Sequence, residues 1–167
     1  MMTGLALLAQ SRVAFTVTGP HMVVFGISAA LALLCVLFHY EVMSVFSRVL
    51  LTLRLPRRGR IVALMLVLMT AHVIEVWIFG LAYWLLSAWP ELGAFSGALV
   101  EGALDYVYLS VTTFTTLGFG DIVPIGPMRI LAGTEALVGL SVITWSASLS
   151  FLELQRDWAE YRSPTQE

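Results

Sequence analysis

Three long apolar runs constrain the fold of this chain more than any other feature. Residues 22–38, 61–88 and 128–152 contain few charged side chains. At about 1.5 Å of rise per residue, the two longer runs reach across a hydrocarbon core roughly 30 Å thick, and the 17-residue run at 22–38 does so with some help from its flanks. Of all residues, 59% are hydrophobic and 12% are charged, against about 45–50% and 25% in soluble domains. The sequence therefore predicts an integral membrane protein with three transmembrane helices.

Charge and cysteine content exclude two other classes of protein. The net charge is −2 and all nine basic residues are arginines, so the basic surface that a nucleic acid partner needs is missing. The single cysteine, Cys35, lies within an apolar run. A disulfide within one chain and a cysteine metal site are therefore excluded, and Cys35 is interpreted as a small buried hydrophobic residue.

The distribution of arginine predicts the orientation in a plasma (inner) membrane. Arginines crowd the loop between the first two spans, as is typical of cytoplasmic loops. We expect the N-terminal segment 1–21 outside, without a cleaved targeting signal, and the tail 153–167 in the cytoplasm. Within 22–60, the residues after the first span have helical spacing and indicate a helix at the interface or extending into the cytoplasm, interrupted at Pro56 and Gly59. The loop arginines are Arg48, Arg54, Arg57, Arg58 and Arg60.

A shorter helical segment lies between the second and third spans. Residues 104–116 form a helix too short to cross a bilayer, and the T-T-L-G-F-G-D run at 115–121, with Pro124 and Pro127 after it, cannot continue that helix. Irregular backbone at membrane depth is tolerated only where protein buries it or where it lines a water-filled path. The segment therefore predicts a re-entrant loop, and the loop indicates a pore.

The irregular segment has a composition suited to binding a dehydrated cation. Such a cation needs stacked carbonyl oxygens, and alternating glycines let the backbone present them on one side. Residues 111–124, V-T-T-F-T-T-L-G-F-G-D-I-V-P, resemble the signature of potassium channel pore domains, whose usual form is T-T-V-G-Y-G-D. The resemblance covers roughly residues 61–151.

This resemblance implies an all-α membrane protein with three transmembrane helices and a re-entrant pore helix. One chain carries one pore loop and four loops ring an ion, so it implies a homotetramer in membrane lipid. The expected function is passive conduction of potassium ions, with no enzymatic activity and no cofactor besides the permeating K⁺. The implied pore domain, 61–152, comprises an outer helix at 61–88, a pore helix at 104–116, a filter at 116–121 and an inner helix at 128–152.

The resemblance also assigns roles to single residues. Asp121 corresponds to an acid that family members tie to an aromatic residue of the pore helix, which here is Tyr108, a phenol able to donate a hydrogen bond. Gly120 allows the outer turn of the filter, and the Thr116 hydroxyl adds a further ligand. The backbone carbonyls implied to bind K⁺ are those of Thr116, Leu117, Gly118 and Phe119.

Three positions depart from the family pattern. Phe119 replaces the usual tyrosine, while Leu109 stands where a tryptophan partner is common, so no polar group is left without a partner. Leu117 replaces valine, and Thr112 stands where some members hold a glutamate behind the filter. Two alternatives remain open: a nonselective cation channel with the same fold, and a nonconducting subunit or intramembrane enzyme, for which no nucleophile and base pair up in the sequence.

The inner helix carries candidate gating residues. Gly139 matches a glycine at which such helices bend, and it is equally interpreted as a small residue for close helix packing. Ile143, Ala147 and Phe151 recur at four-residue spacing and are predicted to line the cavity. Phe151 is the candidate hydrophobic constriction at the cytoplasmic end.

Three ionisable residues, His72, Glu75 and Glu135, lie within predicted spans. An unpaired charge there costs at least about 2.5–3.5 kcal/mol, so each needs a partner. Glu135 starts about 10 Å below the outer end of its helix, and we expect it to support the filter by bracing the pore helix near its threonines. His72 and Glu75 share a helix face and are expected to pair. A pH-sensitive gate is an alternative, whereas a metal site lacks further convergent ligands.

Overall fold

Three long helices and one short helix make up most of the protein. The structure, a computed structural model, describes residues 18–52, 56–98 and 100–162. Each long helix contains a stretch long and apolar enough to cross a membrane, so the chain is a multi-pass membrane protein with three candidate spans, as the sequence predicts. The helices are α1 (Gly19–Thr52), α2 (Arg57–Leu86), α3 (Ala103–Phe114) and α4 (Met128–Arg162).

The first and last helices extend beyond the predicted spans. α1 continues without interruption to Thr52, because no glycine or proline lies between Gly26 and Pro56. α4 continues past residue 152 to Arg162, where charged residues at helical spacing include the Glu153–Arg156 ion pair at 2.7 Å. The charged segments after both spans are therefore helical extensions.

The middle helices differ from their predicted ranges by a few residues. α2 begins at Arg57 with Pro56 as its N-cap, so Gly59 lies inside the helix and does not interrupt it. Proline at a helix start loses no intrahelical hydrogen bond. α3 ends at Phe114 rather than at residue 116, because Thr116 adopts a positive φ of 58°, which no right-handed helix allows.

A two-stranded antiparallel sheet, which the sequence analysis does not predict, lies at the loop end of the molecule. β1 (Ala94–Gly97) pairs with β2 (Ile122–Ile125), with Ala94 opposite Ile125 and Gly97 opposite Ile122. A short 3₁₀ turn at Pro90–Leu92 precedes β1. The sheet therefore joins the two ends of the segment that contains α3 and residues 115–121.

The main apolar core lies where α3 packs against α2 and α4, with α1 packed against the same two long helices. Phe79 and Tyr83 of α2, Phe114 of α3 and Leu131 of α4 are almost completely buried. Cys35 of α1 is buried in the same cluster as a free thiol. The core thus fixes the position of α3, and with it the segment that follows.

Candidate functional site

The segment 115–121 has an unusual backbone conformation, and its residues are exposed in the single chain. Every residue in it is exposed in the single chain, including the apolar side chains of Leu117 and Phe119, at 58% and 65%. Thr116, Gly118 and Gly120 have φ of 58°, 52° and 77°. Since Leu117 and Phe119 keep negative φ, the sign of φ alternates, and such alternation turns successive N–H groups to one side of a chain. The carbonyl oxygens then point to the opposite side of the chain.

Two glycines let α3 approach α2 and α4 closely. A Cβ added to Gly80 would come 3.0 Å from the Cα of Val107, and one added to Gly139 would overlap the carbonyl oxygen of Phe114. Gly139 lies roughly 16 Å along α4 from Met128, well inside the candidate span Met128–Arg156. The end of α3 therefore lies at membrane depth. Gly139 packs directly against α3 there, as expected from its interpretation as a small residue for close helix packing.

Two contacts hold the C-terminal end of segment 115–121. The backbone N–H of Ala98 donates to the carbonyl oxygen of Asp121 at 2.6 Å. Gly97, beside it, lies so close to the same carbonyl that an added Cβ would overlap its oxygen, and its φ of 105° favours glycine. The sheet formed by β1 and β2 thus fixes where the segment ends.

The hydrogen bond expected between Tyr108 and Asp121 is present. The Tyr108 hydroxyl donates to Asp121 Oδ2 at 2.7 Å. This hydrogen bond lowers the pKa of Asp121 below its ordinary value and raises the pKa of Tyr108, because it favours the carboxylate and the neutral phenol. Asp121 therefore holds a negative charge beside the segment down to a lower pH than a free carboxyl would.

We expect Tyr108→Phe to make ion flux fall at a higher pH on acidification than in the wild type. Asp121 is charged above its pKa and loses that charge as pH falls through it. Removing the phenol hydrogen bond raises the pKa of Asp121 toward its ordinary value, so the loss of negative potential begins at a higher pH. Cation flux into liposomes, measured as pH is lowered, should fall earlier in the variant than in the wild type.

Tyr106→Phe is the matched control, because Tyr106 lies on the same helix but packs its ring against Phe95, 5.2 Å between centroids. It should keep the wild-type pH profile. Identical profiles for Tyr108→Phe and the wild type would show that the Asp121 charge does not contribute to flux.

Glu135 joins three helices inside the core. It is completely buried, and Tyr83 of α2 donates to its Oε2 at 2.6 Å. The Ser110 hydroxyl of α3 contacts Glu135 Oε1 and also lies 2.8 Å from the carbonyl oxygen of Val76. The sequence predicts Glu135 near the threonines of the pore helix; its own partner on that helix is Ser110, and the Thr113 side chain bonds to the neighbouring Tyr83 hydroxyl.

The remaining predicted residues lie as follows. The Thr112 hydroxyl bonds to the Leu109 carbonyl of its own helix at 2.9 Å, whereas the Thr112 carbonyl accepts the N–H of Gly118 at 3.0 Å. Ile143 is half-buried, and Ala147 and Phe151 are exposed in the single chain. These last two therefore lie on a side of α4 that the rest of the chain leaves uncovered.

The expected pair between His72 and Glu75 is not formed. Glu75 Oε1 instead lies 3.0 Å from Nδ1 of His39, and His72 Nε2 lies 3.2 Å from the hydroxyl of Ser146. Side chains three apart on one helix share only part of a face, and these two point to different neighbours, α1 and α4. His39 is not predicted as a candidate site residue, because it lies one residue beyond the predicted first span.

The chain matches a family of known proteins. A family model described as "Ion channel" matches residues 71–155, about half of the chain. The match begins within α2 and includes α3, segment 115–121 and most of α4, whereas α1 lies outside it. No curated protein and no solved structure matched the chain.

Proposed function

We propose, from the premise that this chain belongs to the ion channel family, that four copies assemble into a potassium-selective pore. Membership confirms the family resemblance carried by residues 111–124 and makes the protein a channel rather than an enzyme. In the proposed pore K⁺ moves passively down its gradient. The carbonyl oxygens of residues 116–119 replace its hydration shell.

The observation that carries the proposal is the exposed, alternating backbone of segment 115–121 at membrane depth. Peptide groups cannot stay unsatisfied in hydrocarbon, so this segment needs protein or a water-filled path around it. One chain supplies one such segment, and a closed ring of identical chains gives every copy the same surroundings. Fourfold symmetry around an axis beside the segment meets both requirements.

Selectivity for potassium over sodium is supported by the intact run of carbonyl-bearing residues with its glycines and Asp121. The Phe119 side chain is exposed in the single chain, and its replacement of the family's tyrosine removes one hydroxyl from behind the filter. This change favours the second candidate function, a nonselective monovalent cation channel with the same fold.

The arginine bias supports an orientation for the assembled pore. Placing the arginine-rich segment between the first two spans in the cytoplasm puts the N-terminus and the sheet of β1 and β2 outside. The C-terminal end of α4 then lies in the cytoplasm of the plasma (inner) membrane. Phe151, exposed near that end, would narrow the cytoplasmic entrance as a hydrophobic constriction.

Reversal potential in planar bilayers tests the proposal directly. With opposed gradients of potassium and sodium across the bilayer that holds the purified protein, we expect reversal close to the potassium equilibrium potential. A reversal potential near zero would instead establish the nonselective channel. Absence of any current from protein shown by cross-linking to be tetrameric would contradict both candidates.

Two glycine substitutions separate filter conduction from leakage. Gly118→Ala puts a side chain at a φ of 52°, which costs about 1–2 kcal/mol in each chain, and should reduce or abolish the selective current. Gly102→Ala lies outside the filter, where an added Cβ meets nothing within 4 Å, and should conduct as the wild type does.

A further inference from the structure

Three side chains able to bind a metal ion converge beside the end of α3. His39 of α1 and the pair His72 and Glu75 of α2 each offer one ligand atom, and these three atoms all lie within 4.8 Å of one another. The rings of His39 and His72 are stacked with 5.2 Å between their centroids. The His72 ring also lies 6.1 Å from that of Phe114, the last residue of α3. The cluster is therefore next to the start of the proposed filter.

Within the described residues, half of the Glu75 carboxylate has no partner. Glu75 and His39 are both completely buried. Oε1 of Glu75 contacts His39, whereas Oε2 accepts no hydrogen bond. A buried polar atom without a partner costs about 1–3 kcal/mol, and more when it is charged. A bound cation would satisfy this oxygen.

The stacked histidines also limit how the cluster can be charged. Two imidazolium rings this close would repel each other, so at least one ring is neutral and offers a lone pair. The buried Glu75 is then neutral, or its charge is balanced by a proton on the other histidine or by a metal ion. A cation bound by His39 Nδ1 and Glu75 Oε1 would take the place of any proton shared by these two atoms.

Ser146 of α4 holds both imidazoles from the opposite side. Its Oγ lies 2.9 Å from His39 Nε2 and 3.2 Å from His72 Nε2. Histidines that ligate a metal through one nitrogen usually donate the other N–H to an outer partner, which fixes the tautomer and the ring orientation. Ser146 gives His39 this outer contact and leaves Nδ1 facing Glu75.

We propose that His39, His72 and Glu75 form a binding site for a divalent transition metal ion of the zinc type. Two imidazoles with one carboxylate is a donor set that zinc accepts, with a fourth position for water. Ligand atoms about 2.0–2.1 Å from a tetrahedral ion lie about 3.3 Å apart, so side-chain rotation has to shorten the longest separation. Ca²⁺ and Mg²⁺ prefer more oxygen ligands than the cluster contains.

The proposed site gives α1 a defined connection to the ion channel domain. α1 supplies His39, and the other two ligands lie at the start of the region matched by the family model, residues 71–155. Ser146 links the same cluster to α4. The metal ion would therefore fasten α1, which the family match omits, to α2, and Ser146 of α4 would hold the two histidine ligands in place.

Cobalt binding to the purified full chain tests the site. The protein is stripped with a chelator and titrated with Co²⁺, whose tetrahedral complexes absorb visible light far more strongly than the hydrated ion. We expect one Co²⁺ per chain, displaced by Zn²⁺. His39→Ala and His72→Ala should each weaken binding more than the 10–100-fold typical of losing an outer partner, and Ser146→Ala should weaken it by about that amount.

His21→Ala is the matched control, since His21 lies on the same helix roughly 27 Å from His39 and contacts Thr18. It should bind Co²⁺ like the wild type. His39→Gln, which keeps a hydrogen-bonding side chain, replaces the alanine variant if circular dichroism shows that the latter is unfolded. A wild type that binds no more Co²⁺ than the His39 variants would overturn the proposal. Metal content is measured without ion flux, so either result leaves the channel proposal to its own test.

Discussion

Gly139→Ala is expected to abolish selective current, because the added methyl group would overlap the carbonyl oxygen of Phe114. That carbonyl belongs to the last residue of α3, immediately before segment 115–121. Interiors packed this closely cannot absorb an extra carbon without shifting backbone. The movement would displace the start of the proposed filter in all four chains.

The expected loss of stability distinguishes this contact from a simple change in helix propensity. Overpacking of this kind costs about 1–3 kcal/mol, which exceeds the roughly 0.5–1 kcal/mol that alanine gains over glycine within a helix. Gly139→Ala should therefore lower the thermal unfolding temperature of the protein in detergent. A variant that unfolds at or above the wild-type temperature and keeps its selectivity would contradict the packing role.

Gly133→Ala is the matched control on the same helix. An added Cβ there meets nothing within 4 Å, so only the gain in helix propensity remains. We expect equal or slightly higher stability and unchanged current. A loss of stability in Gly139→Ala beside a gain in Gly133→Ala, six residues away, would identify the contact with α3 as the cause.

The sequence predicts the three spans because a helix that crosses lipid must be long and mostly apolar. It predicts the short helix because that segment is too short to cross. It predicts a helix after the apolar run of α1 but leaves open whether that helix lies at the interface or extends the span, because an apolar-run criterion ends at the first polar residue, His39. The buried residues of α1 recur every four or seven positions, and that spacing includes His39. Followed past the end of the span, this stripe marks His39 as buried; it consists of Val24, Ser28, Cys35, His39 and Met43.

In the candidate site, too, the sequence predicts contacts within a short stretch of chain but not contacts between separate helices. The contact between Tyr108 and Asp121 follows from a motif confined to a short stretch of chain. The partners of Glu135 and Glu75 do not, because they are set by how separate helices pack, and serine or tyrosine on a helix face carries no signal of its partner. Ser110 is an example: it lies on the predicted pore helix, two residues from Thr112, and only the fold brings it to Glu135.

Glu135→Ala is expected to destabilise the protein and to disturb the filter through α3. The carboxylate accepts hydrogen bonds from two helices, and its removal leaves the buried Tyr83 hydroxyl with only its contact to the Thr113 side chain. Ser110 would keep only its contact with Val76. Removing one partner of a buried hydrogen bond costs about 1–3 kcal/mol and the cavity adds to this, so we expect a total of about 3 kcal/mol or more.

Glu135→Gln tests whether two acceptor oxygens are needed. The amide keeps one oxygen, so one of the two hydroxyls has to turn and accept from the new NH₂ group. We expect an intermediate loss, about 1 kcal/mol, with a measurable change in conductance or selectivity. Unchanged conductance, selectivity and assembly stability in Glu135→Gln would count against the bracing role.

Glu153→Ala provides the comparison at the other end of α4. Glu153 pairs with Arg156 on the surface, where ion pairs contribute about 0–1 kcal/mol, so its removal should change thermal stability little. A large loss in Glu135→Ala beside a small one in Glu153→Ala would locate the effect in the contacts with Tyr83 and Ser110. Because these two partners lie on α2 and α3, the loss of selectivity should accompany the loss of stability, and a stable but nonselective Glu135→Ala would show that Glu135 acts on the filter without holding the helices together.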